Sequence, residues 1–453
     1  MTGPWPAIKS HKVAPHPDKP DIFPQLREGR IGQFYQNRLK PIPLIRKLVV
    51  EVFHYIFPAY VRHIANRPSM ARRWRPVVKL ADHVKTTNVA PIKLINVTKV
   101  DTPSPKVLPI EDTAFLVAPH DHYEFPSVYV AQLSNVEVYG GTNLIFVQDA
   151  VICHDLYDFE RDYTSEELHG RHVIDAKKMR MRLIVNDSAP VQIPIAAAFL
   201  DACAPNYAHW LTEVLPRIAI FCSQKDFNSV PLIINDGLHK NFLESLSAII
   251  GSERDVYHLP IGRAIKVNTL YVVSNCGYVP FDFRNKVSTP PAQGLFCPTV
   301  LTMMSQTISA GFQQSTNWPQ KIYLRRNSVG KIATNLPAVE KLLLDEGFVF
   351  VEPEKLNFAE QVMLFKNAKL IVGSSGAALA NLIFCPVDAR VVILIGKSAR
   401  VSYWYWQNLA RAVNCSICYV LGEVPNVDKT NNQPNFKVPL DTLMRAVSEE
   451  GGQ

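Results

Sequence analysis

From residue 321 to residue 421, short apolar runs alternate with stretches of helical period, and this alternation restricts the fold more than any other feature. Residues 321–325, 348–352, 369–372, 391–395 and 416–421 read as strands. Residues 337–346, 358–368, 373–384 and 403–413 read as helices. Strands joined by helices of this length make a parallel sheet with both faces covered. Upstream, 194–200 and 230–234 read as strands, with helices over 207–221 and 240–250. That predicts a second unit, sandwich-like or doubly wound. It is preceded by a β-rich stretch over 112–149, where TAFLVAP, SVYVAQL, VEVYGG and TNLIFVQD alternate with turns. The Gly140-Gly141 pair there is a hairpin signal.

At 453 residues the chain exceeds the size at which a single core stops growing, roughly 250 residues. The expected division is a basic arm over 1–85, an α/β domain over 86–305, a second over 306–425, and a polar linker with a final helix over 426–453. The arm carries most of the charge asymmetry. Residues 1–80 hold 15 Lys and Arg against 4 Asp and Glu, whereas the rest holds 33 against 36. The first 43 residues contain eight prolines and little periodicity. LIRKLVVEVFHYIF, over 44–57, then has a helical apolar stripe opposite Lys47, Glu51 and His54. Arg62, Arg67, Arg72, Arg73, Arg75 and Lys79 follow. A basic amphipathic helix suits attachment to an anionic membrane surface through 44–80, or packing on the protein body with its arginines solvated. The slightly acidic remainder argues against nucleic acid as a partner.

No secretory-type signal opens the sequence, and no run reaches the roughly 20 apolar residues of a membrane span. The eight cysteines are scattered. These features predict a cytoplasmic chain, peripheral on the inner face of the plasma membrane if the arm binds lipid. Sequons at Asn96, Asn186 and Asn414 are expected by chance at this length. Cys415 and Cys418 form a lone C-x-x-C, and on a strand they point to opposite faces, so metal binding is not expected there. His120-Asp121-His122 lacks an obvious third ligand. Asp155, Asp158 and Asp162 stand apart, and no D-x-D occurs to hold a divalent metal.

Three segments carry chemistry. LIVGSSGAALANLIF is a buried strand, a small-residue turn and a helix start. Gly373 and Gly376 would let backbone approach a ligand, beside N–H groups suited to phosphate. Arg325 and Arg326 leave the KIYLR strand at the same carboxyl edge, where ligands of open α/β sheets bind. One of them is expected to clamp a diphosphate, unless it serves only a surface ion pair. In Asn206–Arg217 (NYAHWLTEVLPR), His209 and Glu213 stand at i, i+4 with Arg217 continuing the face and Asn206 one turn before. Such a carboxylate–imidazole pair prepares a general base, or else it is a buried network that fixes domain geometry. The absence of G-x-G-x-x-G after a strand argues against a dinucleotide enzyme.

The segment NYAHWLTEVLPR is similar to the H-W-x-x-E-x-L-P-R block of the family 61 glycosyltransferases. A second block also resembles that family. It runs from Tyr323-Leu324-Arg325-Arg326 through Gly347-Phe348, Val351–Glu354 and Phe358–Gln361 to Ala368 and Gly373–Asn381. The resemblance covers roughly 110–425. It implies a GT-B-like α/β fold with two facing Rossmann-like domains, here with a basic helical N-terminal extension. It also implies an inverting transfer of sugar from a nucleotide-sugar donor to a carbohydrate or glycolipid acceptor, with 86–305 on the acceptor side and 306–425 holding the donor. On the same grounds, His209 supported by Glu213, or Glu213 itself, is the catalytic base. Arg325, Arg326, Glu360, Gly373, Ser374, Ser375, Gly376, Ala377 and Asn381 face the donor. Asn206, Trp210 and Arg217 are acceptor-side or structural. No cofactor or metal is implied.

Ser375 stands where many members have His, and Lys331 and Leu336 where Arg and Glu are expected. The sequence therefore predicts a changed donor contact. The bacterial side of the family, which builds capsular or other surface polysaccharide, fits the missing anchor and the basic arm. The competing expectation is a catalytically silent scaffold of the same fold that binds carbohydrate or lipid.

Overall fold

The computed structural model describes residues 8–13, 73–117, 120–168, 171–183, 190–280, 282–284, 294–312, 317–326, 330–398, 403–424 and 435–448. The expected helix over 44–57, most of the basic arm, Asn186 and nearly all of the 426–437 stretch lie outside them.

The fold is mixed α/β, built on two large sheets. The second sheet has six strands, all parallel, in the spatial order Val349–Val351, Lys321–Leu324, Leu370–Ser374, Arg390–Gly396, Ser416–Gly422, Lys106–Leu108. Numbered by sequence, its first five strands run 2-1-3-4-5. The order therefore reverses between Lys321–Leu324 and Leu370–Ser374, and a crevice opens beyond their carboxyl ends. Side chains alternate as a strand requires. Ile322 and Leu324 enter one apolar cluster and Tyr323 the other. Cys415 and Cys418 likewise fall on opposite sides.

Strands Val191–Ala198, Leu232–Asn235, Asp255–Leu259 and Ala264–Val273 form the parallel part of the first sheet, in the order 3-2-1-4. Its reversal lies between Val191–Ala198 and Ala264–Val273. The strand Lys9–Lys12 adds to the outer edge beside Asp255–Leu259. On the other side, Val128–Tyr139 pairs antiparallel with Ala264–Val273 and turns through Gly140-Gly141 to Ile145–Val147, the predicted hairpin.

Four elements differ from the sequence reading. SVYVAQL and VEVYGG are not two strands but parts of one, carried through a left-handed Asn135 with φ of 54°. TAFLVAP is not a strand; Ile110–Leu116 forms a 3-10 helix, started by Pro109 with Glu111 and Asp112 in the first turn. The run after Gly376 is also 3-10, over Ala377–Phe384. Finally, Lys106–Leu108 lies within the expected first domain yet completes the second sheet.

The sheets are not separate bodies. One apolar cluster runs from Trp210, Val214 and Ile218 to Phe358, Phe384 and Ile393. Polar contacts cross the same seam. Tyr207 Oη donates to Asn381 Oδ1 at 2.8 Å, and the Phe358 amide donates to Glu244 Oε2 at 2.9 Å. The helix Leu440–Ser448 packs on the second sheet, where Arg390 Nη2 reaches the Ala446 carbonyl at 3.0 Å.

Candidate active site

Asn206 caps the helix that carries His209, its side chain accepting the Ala208 amide at 3.0 Å. The helix then widens into a π turn over Trp210–Val214 before resuming as Leu215–Cys222. Pro216 supplies a cause: it has no N–H for the Thr212 carbonyl four residues back, so the regular ladder is interrupted there. That carbonyl faces Gly277, where an added Cβ would lie 2.2 Å from it. His209 Nδ1 hydrogen-bonds Glu213 Oε1, and Glu213 Oε2 accepts the Val279 amide at 3.1 Å. A carboxylate can only accept, so it keeps the proton on Nδ1 and leaves Nε2 with a lone pair. Burial works against the imidazolium, but the charges of Glu213 and Asp201 outweigh it and raise the His209 pKa above its usual value.

Arg217 is buried on the same helix. Its Nε donates to the Glu213 carbonyl at 3.1 Å, and its Nη2 lies 4.0 Å from Asp201 Oδ2. Trp210 is fully buried, stacked on Phe242 with Nε1 on Ser245 Oγ at 2.8 Å. Its place is in the core.

The crevice of the second sheet is lined by Tyr323, Arg325, Arg326, Glu340, Glu352 and Ser374 among others. The two arginines are held differently. Arg325 makes a two-pronged pair with Glu340, at 2.7 and 2.9 Å, and lies 4.7 Å over the Phe350 ring. Among the described residues Arg326 donates to carbonyls, those of Gly330 and Ser375, each at 3.1 Å. Beside it, Lys331 adopts a left-handed φ of 55°. Burial first, and then the Arg326 charge, bring the Lys331 ammonium down to about 8. No carboxylate among the described residues pairs with Lys331 or Arg326. Two desolvated cations side by side form a site that an anion would relieve.

Other residues read as donor-facing have partners of their own. Ser375 is buried, its Oγ accepting from Trp406 Nε1 at 2.9 Å, while Asn381 is spent on Tyr207 and on Gln361 Oε1 at 2.9 Å. Glu360 closes a reciprocal capping box with Asn357 at the start of Phe358–Asn367. Gly373 packs on Leu324, 3.1 Å from where its Cβ would be, and Gly376 makes room for Arg326. Ser374 lines the crevice, and Ala377 is exposed.

The sequence reading missed Asp201, Glu166 and His154, which stand with His209 and Glu213 around a second recess. Asp201 was findable, since it follows a strand at a carboxyl edge. His122 bonds Asp121 at 2.5 Å, and no group of three metal-ligating side chains occurs among the described residues. None of the described helices is long and apolar enough to cross a membrane.

The chain is thus a doubly wound α/β protein with a crevice at each reversal of strand order. Residues 207–392, less than half the chain but spanning His209 and the arginine strand, match the family model described as Glycosyltransferase 61, which supports a family 61 glycosyltransferase. That family is one of glycosyltransferases, which implies a nucleotide-sugar donor and a carbohydrate acceptor. No curated protein matches the chain.

Proposed function

We propose that this glycosyltransferase works by inversion in a GT-B-like arrangement, with the donor in the crevice of the second sheet and the acceptor on the first. The observation that carries the reading is the Arg326–Lys331 pair, two cations that no carboxylate among the described residues pairs with, at a strand-order reversal. A nucleoside diphosphate would supply the missing charge. His209 Nε2 takes the proton from the acceptor hydroxyl. The oxygen attacks the anomeric carbon from the face opposite the diphosphate, the anomeric C–O bond breaks, and its electrons leave on the phosphate. Arg326 and Lys331 stabilise that developing charge, so the reading requires no metal. Arg325, neutralised by Glu340, shapes the wall.

A cytoplasmic, peripheral place in capsular or other cell-surface polysaccharide synthesis is part of the proposal. It is supported by a basic platform at the far edge of the first sheet. There Trp74 lies between Arg180 and Arg182, at 4.7 and 4.5 Å, with Arg75 nearby in the Arg75–Lys79 strand. Such a surface suits anionic lipid headgroups.

Thermal-shift measurements against UDP-, GDP-, CMP- and dTDP-sugars, with and without EDTA, test the donor site. A ligand at 100 times its dissociation constant adds about 2.7 kcal/mol of stability. The expected result is a shift that survives EDTA and is lost in Arg326→Ala. No shift with any nucleotide sugar, in folded protein, leaves the silent scaffold as the function.

A further inference from the structure

The crevice at the reversal of the first sheet has chemistry of its own. It lies beyond the carboxyl ends of Val191–Ala198 and Ala264–Val273. Asp201 and Cys203 reach it from the first strand, Asn275 and Tyr278 from the second, and His209 and Glu213 from the helix between. Glu166 closes its floor, buried, with neutral donors near both carboxyl oxygens. Thr142 Oγ1 and the Asn143 amide approach its Oε1 at 3.3 Å each, and Ser165 Oγ approaches its Oε2 at 3.2 Å. Asp201 accepts the Cys203 amide at 2.7 Å and Asn143 Nδ2 at 3.2 Å.

An orphan group points independently to a ligand. His154 Nδ1 faces no solvent and has no hydrogen-bond partner among the described residues, although the side chain lines the recess. A buried polar atom of this kind is costly to leave without a partner, and a ligand hydroxyl would satisfy it. Burial lowers the His154 pKa to about 4, so the imidazole is neutral near pH 7. Burial, with the Asp201 charge, pushes the Glu166 carboxyl up to about 7, so it holds a proton part of the time. The recess therefore offers a carboxylate that accepts, a carboxyl that donates and an unpaired imidazole nitrogen. Tyr157, Phe159 and Tyr163 supply ring surface on its wall.

We infer that this recess is an acceptor subsite that takes hydroxyl groups of an uncharged sugar and rejects an acidic one. Adjacent hydroxyls of a sugar both donate and accept, which matches the mixed floor, and its C–H faces match the rings. A uronate or phosphate would bring a second negative charge against Asp201, Glu166 and Glu213. The two nearby cations already face these carboxyl groups, Arg217 Nη2 at 4.0 Å from Asp201 Oδ2 and the Arg171 charge acting on Glu166, which leaves three acidic groups against two arginines. Rejection follows from like charges held in a buried site. The inference rests on the glycosyltransferase reading of the His209 crevice and adds the class of sugar it receives.

Saturation-transfer NMR on the full chain tests it, with methyl β-D-glucopyranoside, methyl β-D-xylopyranoside and methyl β-D-glucuronide as probes. The expected result is transfer to a neutral glycoside and none to the glucuronide. That transfer should fall at least about threefold in His154→Phe, which cannot hydrogen-bond, and in the near-isosteric Asp201→Asn, which keeps the fold if the first does not. Equal transfer to the glucuronide, no transfer to either neutral probe, or signals unchanged in folded variants would overturn the inference. The thermal shift of the wild-type protein with nucleotide sugars is the separate readout for the donor site. If it persists while the glycoside results fail, only the acceptor subsite falls.

Discussion

Gly376 has no Cβ because Arg326 occupies that space; an added carbon would lie 2.3 Å from Arg326 Nη1. The backbone there is extended, with φ of −172°, so alanine brings no conformational strain. The conflict falls on the end of a flexible side chain, which moves aside at little cost to the fold. Gly376→Ala therefore displaces the guanidinium and leaves the protein stable. A hydrogen bond to a charged group is worth about 1.5–3 kcal/mol, so nucleotide affinity should fall roughly 10- to 100-fold. Calorimetric titration with the nucleotide that stabilises the wild type checks this, and unchanged affinity in Gly376→Ala would remove Arg326 from the donor site.

Lys331 gives the same crevice a pH signature. Its folded pKa of about 8 lies below the 10.5 of an ordinary lysine. A diphosphate prefers the ammonium, so affinity should be level below pH 8 and decline above it, by at most about tenfold per unit. Binding near pH 8.5 should also take up protons, seen as a buffer-dependent enthalpy. Lys331→Arg, which stays charged, should abolish the decline. The sign for stability is opposite. Between pH 8 and 10.5 the unfolded chain holds a proton that the folded ammonium has lost, so this residue makes unfolding harder as pH rises through that window. Affinity that stays level to pH 10 would show that Lys331 does not meet the ligand.

The His209–Glu213 pair predicts a shifted acidic limb. The imidazole must be neutral to accept a proton, and with its pKa raised, kcat/KM should rise with pH around a midpoint above 6.5. In Glu213→Gln the carboxylate charge is gone while burial remains. The midpoint should drop, and turnover should fall by about 10²- to 10⁴-fold as the Nδ1 proton loses its anchor. A pH–rate profile separates the readings. Should Glu213→Gln lose turnover with the limb unmoved, Glu213 would itself be the base.

The second sheet was legible because its strands are short apolar runs punctuated by Gly, Pro and Asn. Each predicted strand from 321 to 421 has an observed counterpart. Lys106–Leu108 was not legible as its sixth strand, because nothing local says which sheet a three-residue strand will join. Arg325 and Arg326 are equivalent in sequence. Glu340, fifteen residues on, distinguishes them by taking one guanidinium into a two-pronged pair. His209 and Glu213 were visible as an i, i+4 pair, but the π turn between them depends on the combined effect of Pro216 and the close approach of Gly277. Glu166, Asp201 and His154 escaped notice because they come from three separate segments and meet only in the tertiary fold.

Asn381 joins the two sheets at a point where neither is independently complete. Its Oδ1 receives Tyr207 Oη from the His209 helix, and its Nδ2 reaches Gln361 Oε1 on the second sheet's own helix. The residue is fully buried, so Asn381→Ala would strand a phenol and an amide oxygen away from water. Each unpaired group costs about 1–3 kcal/mol. The combined loss should appear as a lower urea midpoint, with Tyr207→Phe recovering part of it in the double variant, since the phenol then has nothing left to satisfy. One apolar cluster runs under this contact from Trp210 to Ile393, so the wild-type chain should lose both sheets in a single transition. Two separated transitions, by circular dichroism and by tryptophan fluorescence, would show that the seam is an interface between independent domains, and Asn381→Ala would then shift only the first of them.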